Sequence, residues 1–386
     1  MLRGKPAAFI AGAFEHPGRE LPDKSVAQIH GEVAIGAAAD AGLSLNDVDA
    51  YFCAGDAPGF GALSMTDYLG LSPRHVDSTE TGGSSYLVHV GHAVEAIAAG
   101  KCSVALITLG GKPRTSGPRA APPGDAPESS FEELYGIGSP AHTYALAARR
   151  HMYEYGTTSE QLAEIKVAAS LHAQYNPDAF LPKPVTVEEV VGSPLIADPL
   201  HRLDCCVVTD GGGAVVVVSP EVAAQLSRHC PAVLGHSEAP KHAAAGRIDL
   251  TYTGARWTAP RAFEEAGCTP ADIDYASIYD SFTITVLEQI EDLGFCEKGE
   301  GGRFVLDGAL LAPHGRLPFN TDGGGLCNNH PTNRGGMTKI IEAVRQLRGE
   351  ARPQVQVPDC ELAVVQGTGG SIGTRMGSAT LILGRE

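Results

Sequence analysis

No apolar run in the chain approaches the eighteen or so residues that a membrane-spanning helix needs; the longest β-rich stretch, Ala214–Val218, has the length of a strand. The sequence therefore reads as one without a membrane span. Basic residues are in short supply: 29 Lys and Arg stand against 45 Asp and Glu, a formal net charge of −16, and they form no long run. A surface that tracks phosphates needs the opposite balance, which argues against nucleic acid as a partner. The nine cysteines include no C-x-x-C pair, and the adjacent Cys205-Cys206 suits neither zinc ligation nor a small secreted disulfide framework. Most read as buried thiols in a reducing compartment, with Cys205-Cys206 in the core. Met1–Pro17 starts basic, but its apolar run Ala7–Phe14 is short and ends in Glu15-His16-Pro17. It reads as a first strand, and the expected location is the cytoplasm. A Walker A loop, a G-x-G-x-x-G after the first strand and an H-E-x-x-H are all missing, which removes most of the case for nucleotide kinases, dehydrogenases and zinc hydrolases.

What is present is glycine and alternation. With 386 residues, 43% of them hydrophobic, the chain can bury more than one ordinary core. Forty-seven glycines head many apolar runs, as tight strand-to-helix turns require. Ala7–Phe14, Val48–Ala54, Cys102–Leu109, Gly213–Val218, Ala232–His236, Ile273–Tyr279, Leu362–Gln366 and Ala379–Leu383 read as short buried strands, and Gln28–Ala41 and Tyr86–Ala99 as helices. The class is α/β with a mostly parallel sheet covered by helices. An internal echo organises it: Ala41-Gly-Leu-Ser-Leu-Asn-Asp-Val-Asp49 returns as Ala266-Gly-Cys-Thr-Pro-Ala-Asp-Ile-Asp274. Each copy ends a helix at glycine and offers Ser44 or Thr269 as a cap three residues before Asp47 or Asp272. The expected organisation is a first half, 1–111 with 201–225, and a second half, 226–386. Between the first half's strands sits an insertion, 112–200. It holds a Pro/Gly/Ser-rich loop, Lys112–Ser130, and helices starting at Ser139-Pro140 and Thr158, the last with a capping box to Gln161; a lid over a site is expected there.

Polar clusters follow the strands: Asp77–Ser85, Tyr279–Thr283, Asn320–Pro331 and Gln366–Gly370. Strand carboxyl ends are where open α/β sheets bind ligands. Phe52-Cys-Ala-Gly55, Gly83-Ser-Ser85 before a helix, Asp210-Gly-Gly-Gly213, Tyr279-Asp-Ser-Phe282, Gly323-Gly-Gly325 with Asn329-His-Pro331, and the final Gly-rich strand-turn-strand occur in that order. Over nearly the whole chain this resembles the thiolase superfamily, in the branch of the sterol carrier protein type thiolases and lipid-transfer proteins. The resemblance implies a duplicated thiolase fold, five-layer αβαβα with two mixed sheets and a loop-domain insertion, a homodimer, and acyl-CoA as substrate.

The departures are informative. Aligned on Gly83-Ser-Ser85, the position of the family's acylating cysteine holds Glu80. The second family cysteine falls in the turn Gly367-Thr368-Gly369, which has no thiol and is expected to contribute to an oxyanion hole. The histidine of the family's His-Asp-Cys-Phe motif is Tyr279, whereas the Asn-His-Pro histidine is kept as His330. A carboxylate does not form the acyl-thioester intermediate with comparable ease, which argues against Claisen cleavage. A 3-hydroxyacyl-CoA needs no nucleophile: a base takes the hydroxyl proton, the carbon–carbon bond breaks, and the enolate is protonated. Cysteine-less relatives with this tyrosine resemble the aldolases of steroid side-chain degradation, which act with an OB-fold, zinc-ribbon partner. The resemblance thus implies a retro-aldol lyase for a bulky, steroid-like or aromatic 3-hydroxyacyl-CoA, in a heterotetramer with such a partner. Zinc is expected only in that partner, with no cofactor or metal in this chain. Tyr279, His330 and Glu80 are the catalytic candidates, with Asp280, Asn328, Asn329 and Cys327 in support; the aldolases carry a second tyrosine near the place of Cys327-Asn328-Asn329. Glu80 reads equally as a base or as a charge placed at a helix N-terminus, and Tyr279 also fits a packed strand-end aromatic. Two other readings are kept: an acyltransferase using another thiol such as Cys327, and a non-catalytic acyl-CoA or lipid-binding subunit.

Overall fold

The computed structural model describes residues 6–117, 132–241, 249–331, 334–373 and 375–385. Most of the loop expected over Lys112–Ser130 lies outside the described residues. The two echoed connectors fold alike. Helix Val26–Asp40 starts at Ser25, whose capping box with Gln28 occupies two otherwise orphaned groups, and is followed by Gly42 in the left-handed region. Helix Ala255–Ala266 ends at Gly267 with the same turn. In the connectors, the Asp47 carboxylate accepts the Ser44 amide at 2.8 Å and that of Asp272 accepts the Thr269 amide at 2.8 Å. The parallel continues beyond the echo. Asp49 accepts the amides of Ser103 and Val104 at 2.9 and 2.8 Å, and Asp274 accepts those of Glu361 and Leu362, both at 2.9 Å. In each half one carboxylate thus fixes the start of the neighbouring strand.

Strands β1 (Phe9–Glu15), β2 (Ala50–Cys53), β3 (His75–Asp77), β4 (Val104–Gly111) and β7 (Gly211–Val218) make the first block, in the order β3-β2-β4-β7-β1. Strands β8 (Ala232–Pro240), β9 (Tyr275–Ile278), β10 (Leu362–Gly369) and β11 (Gly377–Gly384) make the second, in the order β8-β11-β10-β9. β2 runs parallel to β4, which is antiparallel to β7; likewise β9 runs parallel to β10, which is antiparallel to β11. The two mixed sheets run into one another: β1 and β8 touch at Phe9 opposite Ala232, giving nine strands in sequence. Edge strands carry unpaired backbone groups, and this contact satisfies some of them.

The insertion lies between β4 and β7. Its helix Pro140–Tyr155 is capped by Ser139, its helix Ser159–Ala173 by the Thr158–Gln161 box, and it holds a small antiparallel pair, β5 (Leu195–Ala197) with β6 (Leu200–His201). Three cores separate the layers. Val33, Ala37, Leu106 and Val216 pack under helix Val26–Asp40. Helices Ser85–Ala98 and Gly336–Arg348 fill the middle, with Leu87, Val90, Ile340 and Val344 against Val215 and Val365. On the far side Ala259, Phe263, Leu287 and the insertion's Tyr144 and Ile165 bury against Val364 and Ile382. The outcome is the five-layer αβαβα arrangement. Among the described residues no helix is long and apolar enough to cross a membrane.

Candidate active site

Tyr279 stands one residue past β9. Its amide donates to the Gln366 carbonyl at 2.9 Å and its carbonyl accepts from Gln289 Nε2 at 2.6 Å, so the backbone under the ring is fixed from two sides. The next residue, Asp280, organises the segment that brings His330. Its Oδ1 accepts the Gly325 amide at 2.8 Å, its Oδ2 accepts the Leu326 amide at 3.1 Å, and Lys339 Nζ lies 2.8 Å from Oδ1. A side chain at Gly324 would sit 2.1 Å from Asp280 Oδ2, which is why the glycine run is needed at this approach. The Asp280–Lys339 pair is fully buried and holds two chain segments together.

The result is a buried pair. His330 Nε2 lies 3.0 Å from the Tyr279 hydroxyl, the rings meet edge to face at 5.5 Å, and the Gly335 amide donates to the same oxygen at 3.3 Å. His330 is held from behind: its amide donates to Thr209 Oγ1 at 2.9 Å, and that hydroxyl donates to Asn329 Oδ1 at 2.7 Å. On the other ring nitrogen, Cys206 Sγ approaches Nδ1 to 3.6 Å. Burial pushes the His330 pKa down to about 4, so the imidazole is neutral at pH 7. Burial also raises the Tyr279 phenol well above its ordinary value, against the pull of the Gly335 amide.

Glu80 lies across the turn Gly82–Ser84. A side chain at Gly83 would meet the Tyr279 hydroxyl at 2.4 Å, so this glycine lets the turn lie on the tyrosine. Both Glu80 oxygens are engaged: each is 2.6 Å from Arg334, Oε2 accepts the Gly55 amide at 2.6 Å and Oε1 the Gly82 amide at 2.7 Å. Gly367, Thr368 and Gly369 belong to β10 and pair with β11, and the chain turns only at Gly370. A Cβ at Gly369 would lie 1.9 Å from the Thr81 carbonyl, so this strand end is cut back to receive the Gly82–Ser84 turn. Thr368 Oγ1 is buried with no hydrogen-bond partner among the described residues.

Of the remaining supporting candidates, Asn329 reaches the pair only through Thr209, and neither Asn328 nor Cys327 bonds it. Asn328 bonds Asp322 at 2.9 Å and Arg19 at 2.7 Å, and Asn329 bonds Glu15 at 2.9 Å; Glu15, Arg19 and Asp322 line a separate cavity of about 220 Å³. Cys327 is fully buried, 3.2 Å from Lys166 Nζ, and burial raises its thiol pKa. The expectation that Cys205-Cys206 is core misses Cys206, which touches His330. Arg334, Gly335 and Thr209 are also site residues that the sequence reading did not single out. They stand beside recognisable segments, Asn329-His-Pro331 and Asp210-Gly-Gly-Gly213.

The arrangement offers a phenol beside a neutral imidazole, a backbone N–H aimed at the phenol oxygen, and a clamped carboxylate where a nucleophile would be expected. These are parts for moving a proton rather than for carrying an acyl group. Residues 237–385 match the family described as thiolase C-terminal domain-like. An acetyl-CoA acetyltransferase of Methanothermobacter thermautotrophicus is 35% identical, over 95% of this chain and 97% of that protein. The 17-hydroxy-3-oxo-4-pregnene-20-carboxyl-CoA lyase of Mycobacterium tuberculosis is 34% identical, over 90% of this chain and 93% of its own length. Among solved structures, an Ltp2–ChsH2(DUF35) aldolase superposes with a TM-score of 0.87 at 32% identity, covering 98% of both chains. With the duplicated halves, the buried tyrosine–histidine pair and full-length relatives at this identity, the chain belongs to the thiolase superfamily.

Proposed function

We propose that the chain is a carbon–carbon lyase that cleaves a 3-hydroxyacyl-CoA by a retro-aldol reaction. The observation that carries this reading is the Tyr279–His330 pair at 3.0 Å, in a site whose acylating position holds Glu80 with both oxygens engaged. The acetyltransferase relative is similar at a comparable identity, but an acyl-enzyme needs a nucleophile there. Cys327, the thiol offered as an example for that alternative, is buried against Lys166.

Tyr279 acts as a relay. Its oxygen takes the proton of the substrate hydroxyl, the O–H electrons form the new carbonyl, and the bond to the α-carbon breaks. Those bonding electrons become the thioester enolate, whose carbon receives the proton that Tyr279 gives up. The phenol is regenerated, so no resting phenolate, which burial opposes, has to accumulate. Glu80 holds Arg334 beside the site as a fixed charge.

The lyase relative's name describes a 17-hydroxy steroid carboxyl-CoA, with the hydroxyl β to the thioester. A bulky, steroid-like acyl group is the proposed substrate class here. The aldolase neighbour pairs with a DUF35 protein, and we assign the same kind of partner, an OB-fold, zinc-ribbon protein carrying any zinc. A homodimer is proposed through the open edge of β3, where Val76 on the strand and Phe60, Leu63 and Tyr68 in the segment before it are exposed. The test is to incubate the protein with its partner and a 3-hydroxyacyl-CoA, and separately with a 3-oxoacyl-CoA plus free CoA. Carbonyl product from the first supports the lyase, turnover of the second alone the acyltransferase, and neither the binding subunit. Light scattering that finds only monomer overturns the dimer.

A further inference from the structure

We infer that Cys206 is a positioning residue that sets the direction of the Tyr279 proton through the tautomer of His330. The inference rests on the relay role proposed for Tyr279. A neutral imidazole has one N–H and one lone pair, and which nitrogen carries the proton is fixed by its partners. Among the described residues His330 has two side-chain partners in line, Cys206 Sγ at 3.6 Å from Nδ1 and the Tyr279 hydroxyl at 3.0 Å from Nε2. Sulfur is a weak acceptor, whereas an imidazole lone pair is a good one, so the thiol is better placed as donor. Burial keeps that thiol protonated, raising its pKa far above the ordinary value. With S–H donating to Nδ1, Nε2 carries the hydrogen and donates to the tyrosine oxygen.

Two N–H groups, from Nε2 and from Gly335, then face the phenol oxygen. The Tyr279 O–H is thereby turned away from the imidazole, and the charge that develops on the oxygen during the relay meets two donors. In the opposite tautomer the phenol proton is given to Nε2 and lost to delivery. Among the described residues, the other titratable groups that act on the pair include Asp280 and Lys339 on the His330 side and Arg334 and Tyr144 on the Tyr279 side. None of these is within the hydrogen bonds that choose the tautomer.

The experiment uses full-length protein labelled with 15N-histidine, the His330 signals being assigned by their loss in His330→Gln. Wild type and Cys206→Ser, which keeps a donor, are expected to show protonated Nε2 and unprotonated Nδ1, and Cys206→Ala a shift towards protonated Nδ1. With the partner present, kcat is expected to fall about 5- to 10-fold in Cys206→Ala, the scale of one lost hydrogen bond, with KM unchanged and recovery in Cys206→Ser. Should the alanine variant not fold, Cys206→Val, close in volume and without a donor, gives the same reading. Protonated Nδ1 in the wild type, or a Cys206→Ala spectrum and kcat like the wild type's, overturns the inference. A changed tautomer with unchanged kcat overturns the role in delivery. The spectra need no turnover, so they stand apart from the relay itself, which fails if Tyr279→Phe turns over normally.

Discussion

After β2 the chain runs Ala54-Gly55-Asp56, and at the matching place after β9 it runs Tyr279-Asp280-Ser281. Both strand ends are buried and both gather a tyrosine, a histidine and an aspartate. In the first half Asp56 accepts the Tyr86 hydroxyl at 2.7 Å and the Gly110 amide at 3.1 Å, with His30 Nε2 at 3.2 Å. The phenol proton there is already committed to a carboxylate. In the second half the aspartate is turned to backbone amides and Lys339, and the phenol faces an imidazole and an N–H instead. Similar residues thus make a structural cluster around a carboxylate in one half and the proposed proton-handling site in the other. What separates them is where the carboxylate points. The sheet edges differ as well: β9 is flanked by a bridge from Phe319 to Ala276, whereas β3 ends the first block with an open edge.

The largest expected effect breaks the comparison at its centre. Tyr279→Phe removes one oxygen and is expected to lower kcat about 10²- to 10⁴-fold with folding intact. Tyr86→Phe removes the same atom from the structural cluster and is expected to leave kcat within a few-fold while costing about 1–3 kcal/mol in urea unfolding, because buried Asp56 loses a donor. Equal kinetic effects of the two would show that the halves do not differ in the way argued. His330→Ala is expected to lower kcat by roughly 10²-fold or more.

Next in size is the anchor of the site. Lys339→Met leaves Asp280 buried without its cation, and breaking such a pair costs about 3–5 kcal/mol. A urea midpoint within error of the wild type would mean that the two amides alone satisfy Asp280. Simultaneous Asp280→Asn with Lys339→Met is expected to recover part of the loss, since the charge of Asp280 goes together with its cation while Asp322 and Glu15 still lose theirs.

The shared frame is legible in the sequence because its signals are local. The connectors state their own caps within four residues, and the long central strands are continuous apolar runs. β3 is not legible: His75-Val-Asp77 is too short to show alternation and becomes a strand only by pairing with β2. Helix Gly336–Arg348 is also hard to read as central, since Lys339, Glu342 and Gln346 are buried by partners elsewhere in the chain. The site divides the same way. Tyr279 and His330 sit in recognisable segments. The Cys206–His330 contact joins residues 124 apart and the Glu80–Arg334 clamp joins residues 254 apart, and no spacing records either.

The smallest effect expected lies between the halves. His92, on the middle helix Ser85–Ala98, reaches Asp77 of the first half and Glu238 of the second. Its hydrogen bond to Asp77, then that to Glu238, raises its pKa to about 10, while Asp77, despite partial burial, is held below the usual carboxylate range by His92 and Thr79. A raised histidine contributes stability that is full below its unfolded value of about 6.5 and is lost as pH rises through about 10. The depressed aspartate contributes above its unfolded value of about 3.9 and loses that contribution as pH falls below it. The three groups are partly exposed, so solvent screening limits the gain to less than about 1 kcal/mol. The stability difference between wild type and His92→Gln is therefore expected to be greatest between about pH 4 and 6.5, to shrink steadily towards pH 10, and to shrink with added salt. A difference that stays constant from pH 6 to 10 would mean that His92 ties the halves by packing alone, and the charged link between them would be discarded.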